Sequence, residues 1–346
     1  MKNRLPGLHL KAEDFIPATA EEKESLVIMR DSVNFWRDGL RRLKKNRVAM
    51  VSLFFILLIM VFAYVLPSFW PYTYDQQIRT SENLSPFTYG EAELERIAAG
   101  EKVFPHICGT DKLGRDFAVR LMMGARISLT VGLVCAAIVL VIGALFGAIA
   151  GFAGGWVDNI MMRFTDIIYT IPDILLIIIM AMSLKPALEQ LVLHKGFLWL
   201  QKLGPNMIAI FLVFALIYWV GMARITRSQV LILKESEYVT AARALGAGSA
   251  RIIRKHLLTN CIGTLTVTTT LQIPSAIFTE SYLSFLGIGV QVPMPSLGSL
   301  ATDAVKGMNT YPYLLLYPAI LISVIILVFN LFGDGLRDAF DPKLKD

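Results

Sequence analysis

Few side chains in this sequence have the type and spacing to do chemistry. The run Tyr238-Val239-Thr240-Ala241-Ala242-Arg243-Ala244-Leu245-Gly246 carries no nucleophile and no acid–base pair. Its Ala-rich stretch predicts a short helix, and Gly246 permits an abrupt end. Small side chains let another backbone approach closely, so Thr240, Ala241, Ala242, Arg243, Ala244 and Gly246 read as a docking plug. Two carboxylates, Asp173 and Glu280, lie within apolar runs. An ionised group there is costly and by default faces a bundle interior or an aqueous cavity, so each is a candidate for a pathway or for a hydrogen-bonded structural carboxyl beside a helix break. Asp173 follows Pro172; on a straight helix begun at Ile160, about 13 residues at ~1.5 Å each set it near the bilayer midplane. Glu91, Glu93 and Glu95 read as a solvated face rather than a metal site. Cys108, Cys135 and Cys261 imply neither a disulfide framework nor a metal centre. No Gly-x-x-x-x-Gly-Lys-Ser/Thr loop occurs, so the chain is expected to be non-catalytic, with no ATP bound on its own residues.

The elements that must position these residues are membrane spans. The chain has 346 residues, of which 55% are hydrophobic and only 17% charged, too few charges for a water-soluble domain. The net charge of +6 comes from basic residues beside apolar segments, which suits orientation in a bilayer rather than nucleic-acid binding. Six runs reach the roughly 20 residues that a spanning helix needs: Val48 to Leu66, Ile127 to Phe152, Ile160 to Ser183, Met207 to Ile225, Ile262 to Ile288 and Tyr313 to Phe332. The fifth, with Thr266, Thr268, Thr269, Thr270, Gln272, Pro274 and Glu280, is polar enough to line a cavity or to be broken. The expected fold is an all-α polytopic membrane protein with six transmembrane helices.

Seven basic residues (Arg30, Arg37, Arg41, Arg42, Lys44, Lys45, Arg47) face two acids (Asp31, Asp38) before the first run. Seven more (Arg224, Arg227, Lys234, Arg243, Arg251, Arg254, Lys255) face Glu235 and Glu237 after the fourth. Both segments belong in the cytoplasm by the positive-inside rule, and six spans put them on one side with both termini. The outer loop after Ser183, with Lys185, Lys195 and Lys202 against Glu189, runs against that rule and is outvoted. No short apolar region with a cleavage site follows Met1, so the first span is expected to act as an uncleaved signal anchor. The organisation is then a cytoplasmic segment over 1–47, a first helix over 48–66, an extracytoplasmic segment over 67–124, a multi-span membrane domain over 125–334 with a cytoplasmic loop at about 226–261, and a cytoplasmic tail over 335–346. Gly143, Gly147 and Gly151 recur every four residues and make a smooth ridge for close helix packing. Arg163 and Asp166 have the spacing to pair on one helix face.

Several blocks together resemble one family. The run Tyr238 to Gly246 is similar to the Glu-Ala-Ala-x-x-x-Gly coupling motif by which permeases of ABC importers engage their ATPases. His106-Ile107-Cys108-Gly109-Thr110-Asp111-Lys112-Leu113-Gly114-Arg115-Asp116, followed by Gly124-Ala125-Arg126-Ile127-Ser128-Leu129, resembles the Gly-Thr-Asp-x-Leu-Gly-Arg-Asp block of the C-type permease subunits of dipeptide and oligopeptide importers. Met162 to Asp166 with Pro172, Leu283 to Gly289 with Pro295 to Gly298, and Gly333 to Asp338 with Asp341-Pro342 are similar to the same family, from about Arg41 to the C-terminus. Two positions depart: Thr240 stands where the family usually has Glu, and Thr259 where it usually has Pro. Thr240 retains the ability to cap a helix N-terminus, and Thr259 is expected to make the exit from the coupling region less rigid.

The resemblance implies the type I ABC importer permease fold in a bacterial cytoplasmic membrane. It implies as partners a second permease subunit, two cytoplasmic ABC ATPases that carry ATP and Mg, an extracytoplasmic peptide-binding protein and the lipid bilayer. Peptides are the favoured substrates, with nickel or glutathione as alternatives within the family. A channel, a membrane scaffold or a proton-coupled carrier using Asp173 or Glu280 are alternatives outside it, the last disfavoured by the lack of a visible inverted repeat.

Overall fold

A computed structural model of the chain describes residues 35–194, 205–290 and 294–340. An amphipathic, basic helix α1 (Phe35–Lys45) stops at Asn46, whose side chain accepts from the Ala49 N–H at 3.2 Å and so caps the next helix. That helix, α2 (Arg47–Met60), runs on through a wide turn at Val61–Val65 and ends in a tight turn at Leu66–Ser68 where Pro67 cannot continue it. Residues 69–116 then form a folded cap with one short helix, α3 (Glu91–Ala98), and two isolated antiparallel bridges, Thr88 with His106 and Thr110 with Asp116.

The longest helix, α4 (Phe117–Ala153), has 37 residues and is about 55 Å long, more than a bilayer core requires. It begins ten residues before the expected Ile127, because Asp116 accepts from the Val119 N–H at 2.9 Å and starts the helix inside the cap. It ends at Gly154, whose φ of +64° a side chain tolerates poorly. The expected third span is not straight: α5 (Gly155–Thr170) stops before extended Ile171 and Pro172, and α6 (Asp173–His194) leaves at 87° to it. Next, α7 (Pro205–Val213) passes through a wide turn at Phe214–Tyr218 into α8 (Trp219–Leu233), making one span over Asn206–Leu233.

Two short helices follow, α9 (Glu237–Ala244) and α10 (Ser249–Ile252). The latter leads through a wide turn at Ile253–Leu257 into α11 (Leu258–Phe285). The expected break in α11 is absent, although Pro274 sits inside it. The hydroxyls of Thr266, Thr268, Thr269 and Thr270 each donate to the carbonyl four residues earlier at 2.7–2.9 Å, so the threonines satisfy themselves within the helix. A capped helix α12 (Leu297–Val305) and a final span α13 (Pro312–Phe340) complete an all-helical architecture of five long spans plus the bent α5–α6 pair among the described residues.

The bundle core joins α4, α8 and α11, and a second cluster joins α2, α4, α12 and α13. The glycine ridge is the tightest seam. A Cβ on Gly143 would meet Met222 and the Trp219 carbonyl at 2.5 and 2.8 Å, one on Gly147 would overlap the Ala223 carbonyl, and one on Gly151 would lie 2.9 Å from the Arg227 carbonyl. Backbone on one side and side-chain stems on the other leave no room for even a methyl, and that close approach is what locks α4 to α8.

Candidate functional site

At the end of the bundle where α4 terminates, α9 lies across the spans as a short helix. Glu237 sits in its first turn, where the helix dipole favours a negative charge. Its C-terminus is a complete reversal: the Gly246 N–H donates to the Arg243 carbonyl at 2.9 Å, the Ala247 N–H donates to the Ala242 carbonyl at 3.0 Å, and Gly246 adopts φ +80° with open space around it. Both bonds and the positive φ define a Schellman stop, which explains the need for glycine there. Val239 and Ala242 face inward at 0% and 9% exposure, whereas Thr240, Ala241, Arg243, Ala244 and Leu245 are exposed, Leu245 at 88%.

This corrects the sequence reading in two respects. Ala242 belongs to the core rather than to the presented face, because it packs on the side of α9 that meets the spans. Thr240 lies in the body of the helix and caps nothing, since Ser236 holds the N-cap position. The exit through Thr259 is helical, with the Thr259 hydroxyl donating to the Arg254 carbonyl at 3.4 Å just after the wide turn at Ile253–Leu257.

Charged contacts brace this end. The Arg243 guanidinium sits 5.2 Å from the centre of the Phe152 ring, and Lys234 Nζ donates to the Gly151 carbonyl at 3.2 Å, placing two cations at the negative end of the α4 dipole. Arg227 of α8 donates bidentately to Asp158 of α5 at 2.5 and 2.6 Å. Arg224 donates to Asp166 at 2.8 Å and lies 4.5 Å from the Tyr169 ring centre. Asp166 therefore pairs across helices with Arg224 and not with Arg163, because the facing arginine offers its fork where the i,i+3 neighbour does not. Helix α5 turns its other face outward with Trp156, Phe164 and Ile167 exposed.

The two intramembrane carboxylates diverge. Glu280 is fully buried and accepts from Ser128 Oγ at 2.6 Å on α4 and Ser284 Oγ at 2.7 Å on its own helix, with Ser281 Oγ at 3.4 Å. Ser128 Oγ in turn accepts from the Leu297 N–H at 3.4 Å, so Glu280 is the hub of a network joining α4, α11 and the start of α12. Asp173 begins α6 immediately after the bend, which removes the straight-helix argument for its depth; its side chain lies outside the described residues.

The Gly109 to Asp116 block folds the cap onto the first turn of α4. Gly109 and Gly114 take φ of +74° and +68°, and a side chain on either would overlap the Leu84 or Ile78 carbonyl. Thr110 Oγ1 accepts from the Leu84 N–H at 2.8 Å and donates to the Ser81 carbonyl at 2.5 Å. Asp111 accepts from the Leu113 and Arg115 N–H groups at 2.9 and 3.0 Å, and from the Arg115 and Arg120 guanidiniums, each at 2.7 Å. Asp116 accepts from Val119 N–H, Trp70 Nε1–H at 3.2 Å and the His106 ring at 2.7 Å.

Sequence reasoning missed the partner on the other side of His106. Glu93, grouped with Glu91 and Glu95 as solvated, is 2% exposed and meets His106 Nε2 at 2.8 Å, while its other oxygen accepts from the Gly90 N–H at the start of α3 at 2.7 Å. Only the order His106, Asp111, Asp116 hinted at charge pairing, and nothing in the sequence tied Glu93 to it. Burial alone would lower the His106 pKa, but the hydrogen bond to Asp116 and the charge of Glu93 outweigh it and raise the pKa above imidazole's usual value. No group of three or more His, Cys, Asp or Glu residues suited to a metal ion occurs among the described residues.

An all-helical bundle with a folded cap at one end and a short presented helix at the other defines an integral membrane protein of the multi-span permease class. Residues 143–346 match the family of binding-protein-dependent transport system inner membrane components, and residues 34–86 match the N-terminal transmembrane domain of oligopeptide transport permease C. The oligopeptide transport system permease protein OppC of Bacillus subtilis is 38% identical over 331 residues, 96% of this chain and 97% of its own. The dipeptide transport system permease protein DppC of the same organism is 39% identical over 345 residues, 99% and 97%, and OppC of Escherichia coli is 36% identical over 311 residues, 90% and 92%. The chain belongs to the binding-protein-dependent permease family.

Proposed function

We propose that this chain is one permease subunit of a peptide importer, forming half of a pathway whose other half is a second permease. One of two ABC ATPases docks at α9, and the pair supplies ATP and Mg chemistry that this chain itself does not perform. The observation that carries the reading is the presented α9: a helix held by Arg243 and Val239 on one side, ended by a glycine reversal, and offering Ala241, Ala244 and an 88% exposed Leu245 on the other. An apolar residue so exposed beside small ones suits a partner surface. The basic residues of α1 and of the segment around α10 support an orientation with α9, the N-terminus and the C-terminus in the cytoplasm and the 69–116 cap outside, where a peptide-binding protein delivers its cargo. Peptides follow from the names of the relatives, which are oligopeptide and dipeptide permeases.

In this mechanism, closure of the ATPases displaces α9, and the displacement reaches the bundle through the Arg243–Phe152 and Lys234–Gly151 contacts at the end of α4 and through the continuous α10–α11 rod. Coupling requires that each nucleotide state bind one arrangement of the bundle better than the other. Replacement Leu245→Asp, with Gly246 kept, tests the dock without touching the core. Membrane insertion and pairing with the second permease should persist while ATP-driven peptide uptake is lost. Uptake at the wild-type rate in that variant refutes the assignment. Orientation is checked separately: in a background without native cysteines, Gly248→Cys should react with an impermeant thiol reagent only after permeabilisation.

A further inference from the structure

The cap holds a buried charge arrangement that the transport reading does not use. His106 is fully buried, with Nδ1 at 2.7 Å from Asp116 Oδ2 and Nε2 at 2.8 Å from Glu93 Oε1. A neutral imidazole has one N–H donor, so it cannot donate to both carboxylates. With a neutral ring and two ionised acids, one nitrogen lone pair would face a carboxylate at hydrogen-bond distance in a site without water access, which is strongly unfavourable. The geometry requires one more proton, held on the ring as imidazolium.

The three residues also come from three places. Glu93 is in α3, His106 in the loop after it, and Asp116 is the N-cap of α4. The remaining groups packed around the ring are Tyr72, stacked at 4.5 Å between centres, Trp70 on Asp116, and Cys108, with Tyr317 of α13 beyond it and Arg96 of α3 engaged by Glu101 at 2.7 Å. Tyr72 donates to the Phe104 carbonyl, and burial with the charge of Glu93 keeps its hydroxyl protonated well beyond the usual phenol range. Burial and the charge of Asp116 push the Cys108 thiol up to about 11. His106 is thus the base of this cluster, and it holds its proton more tightly than a free imidazole does.

We propose that Glu93, His106 and Asp116 form a proton-dependent clasp that fastens the cap to the first turn of α4 and releases it as the surrounding pH rises. The raised ring pKa sets the sign: the clasp contributes fully below imidazole's unperturbed value of about 6.5 and is lost as pH climbs through the higher folded-state value. Release frees one oxygen of the carboxylate that caps α4, a helix whose far end carries the Arg243 and Lys234 contacts. That this pH is the external one rests on the orientation given above; the clasp itself does not.

Amide hydrogen exchange on the assembled transporter in nanodiscs, over peptides covering residues 104–122 and corrected for intrinsic pH dependence, reads the clasp with neither ATP nor peptide. Protection should fall between about pH 6 and about pH 9, because the closed form holds the ring proton more tightly than the open form. Glu93→Gln removes one of the two anions and should move the midpoint to lower pH. His106→Asn should remove the pH dependence. A wild-type profile flat across that range, or a midpoint unmoved by Glu93→Gln, overturns the proposal even if His106→Asn proves too unstable to purify. Failure of peptide uptake in all variants at every pH, with exchange behaving as described, would strike the transport reading and leave the clasp standing.

Discussion

Adding a single methyl to the glycine ridge should weaken the seam between α4 and α8 in proportion to what that methyl meets. At Gly147 it meets the Ala223 carbonyl, with the Thr226 Cβ next at 2.8 Å. A backbone carbonyl in a facing helix cannot rotate away, so the two helices must part locally by on the order of an ångström, and overpacking of this kind costs about 1–3 kcal/mol. Replacing glycine by alanine inside a helix returns about 1 kcal/mol of propensity, leaving a net loss of about 0–2 kcal/mol, or up to about a thirtyfold change in the folded fraction. At Gly151 the nearest atoms are the Arg227 carbonyl at 2.9 Å and the Val230 side chain at 3.1 Å, milder overlaps than at Gly147, so the loss should be smaller. The expected order of stability is wild type, then Gly151→Ala, then Gly143→Ala, then Gly147→Ala, with Gly147→Leu recovered poorly or not at all. Heating the detergent-purified transporter and measuring the monodisperse fraction by size exclusion supplies the ranking. Gly147→Ala matching or exceeding Gly151→Ala would refute the claim that backbone proximity, rather than general helix quality, sets this seam.

Three further outcomes follow from the same contacts. Ala242→Trp should lower assembly itself, because Ala242 is buried against the spans, whereas Ala241→Trp should leave assembly intact and abolish stimulated ATP hydrolysis; pull-down yield and phosphate release separate the two. Glu280→Gln should retain near-normal assembly because rotating serine hydroxyls can still find partners, while Glu280→Leu strands Ser128 and Ser284 and should destabilise by about 1–3 kcal/mol, measured by the same heating assay. Asp158→Asn should weaken the α5–α8 tie, since one of two charge-assisted bonds from Arg227 is lost; a double-mutant cycle with Arg227→Gln checks that the two changes are non-additive.

The apolar runs decided by themselves that the chain crosses a membrane repeatedly, because a backbone in lipid must satisfy its own hydrogen bonds and twenty apolar residues in a helix are the local way to do so. The four-residue glycine period likewise announced a close helix contact, since smoothness of a helix face is a property of one helix. Gly246 was legible for the same reason: a left-handed stop is a local demand on one residue. Which helix meets the ridge is not local, and only packing assigned it to Met222, Ala223 and Arg227 of α8. Ala242 and Ala241 are equally small in the sequence; which one faces the core depends on how α9 is rotated against α4 and α11. The straight reading of Ile160 to Ser183 failed because hydropathy averages over Ile171 and Pro172 without registering a change of direction. Glu93 and His106, thirteen positions apart, became partners through the fold of the cap, and Asp166 chose Arg224 over its neighbour Arg163 because a facing helix presented a better-aimed guanidinium. Local propensity and hydrophobicity wrote the elements; charge pairing and burial, which depend on distances between residues far apart in the chain, were decided by tertiary structure alone.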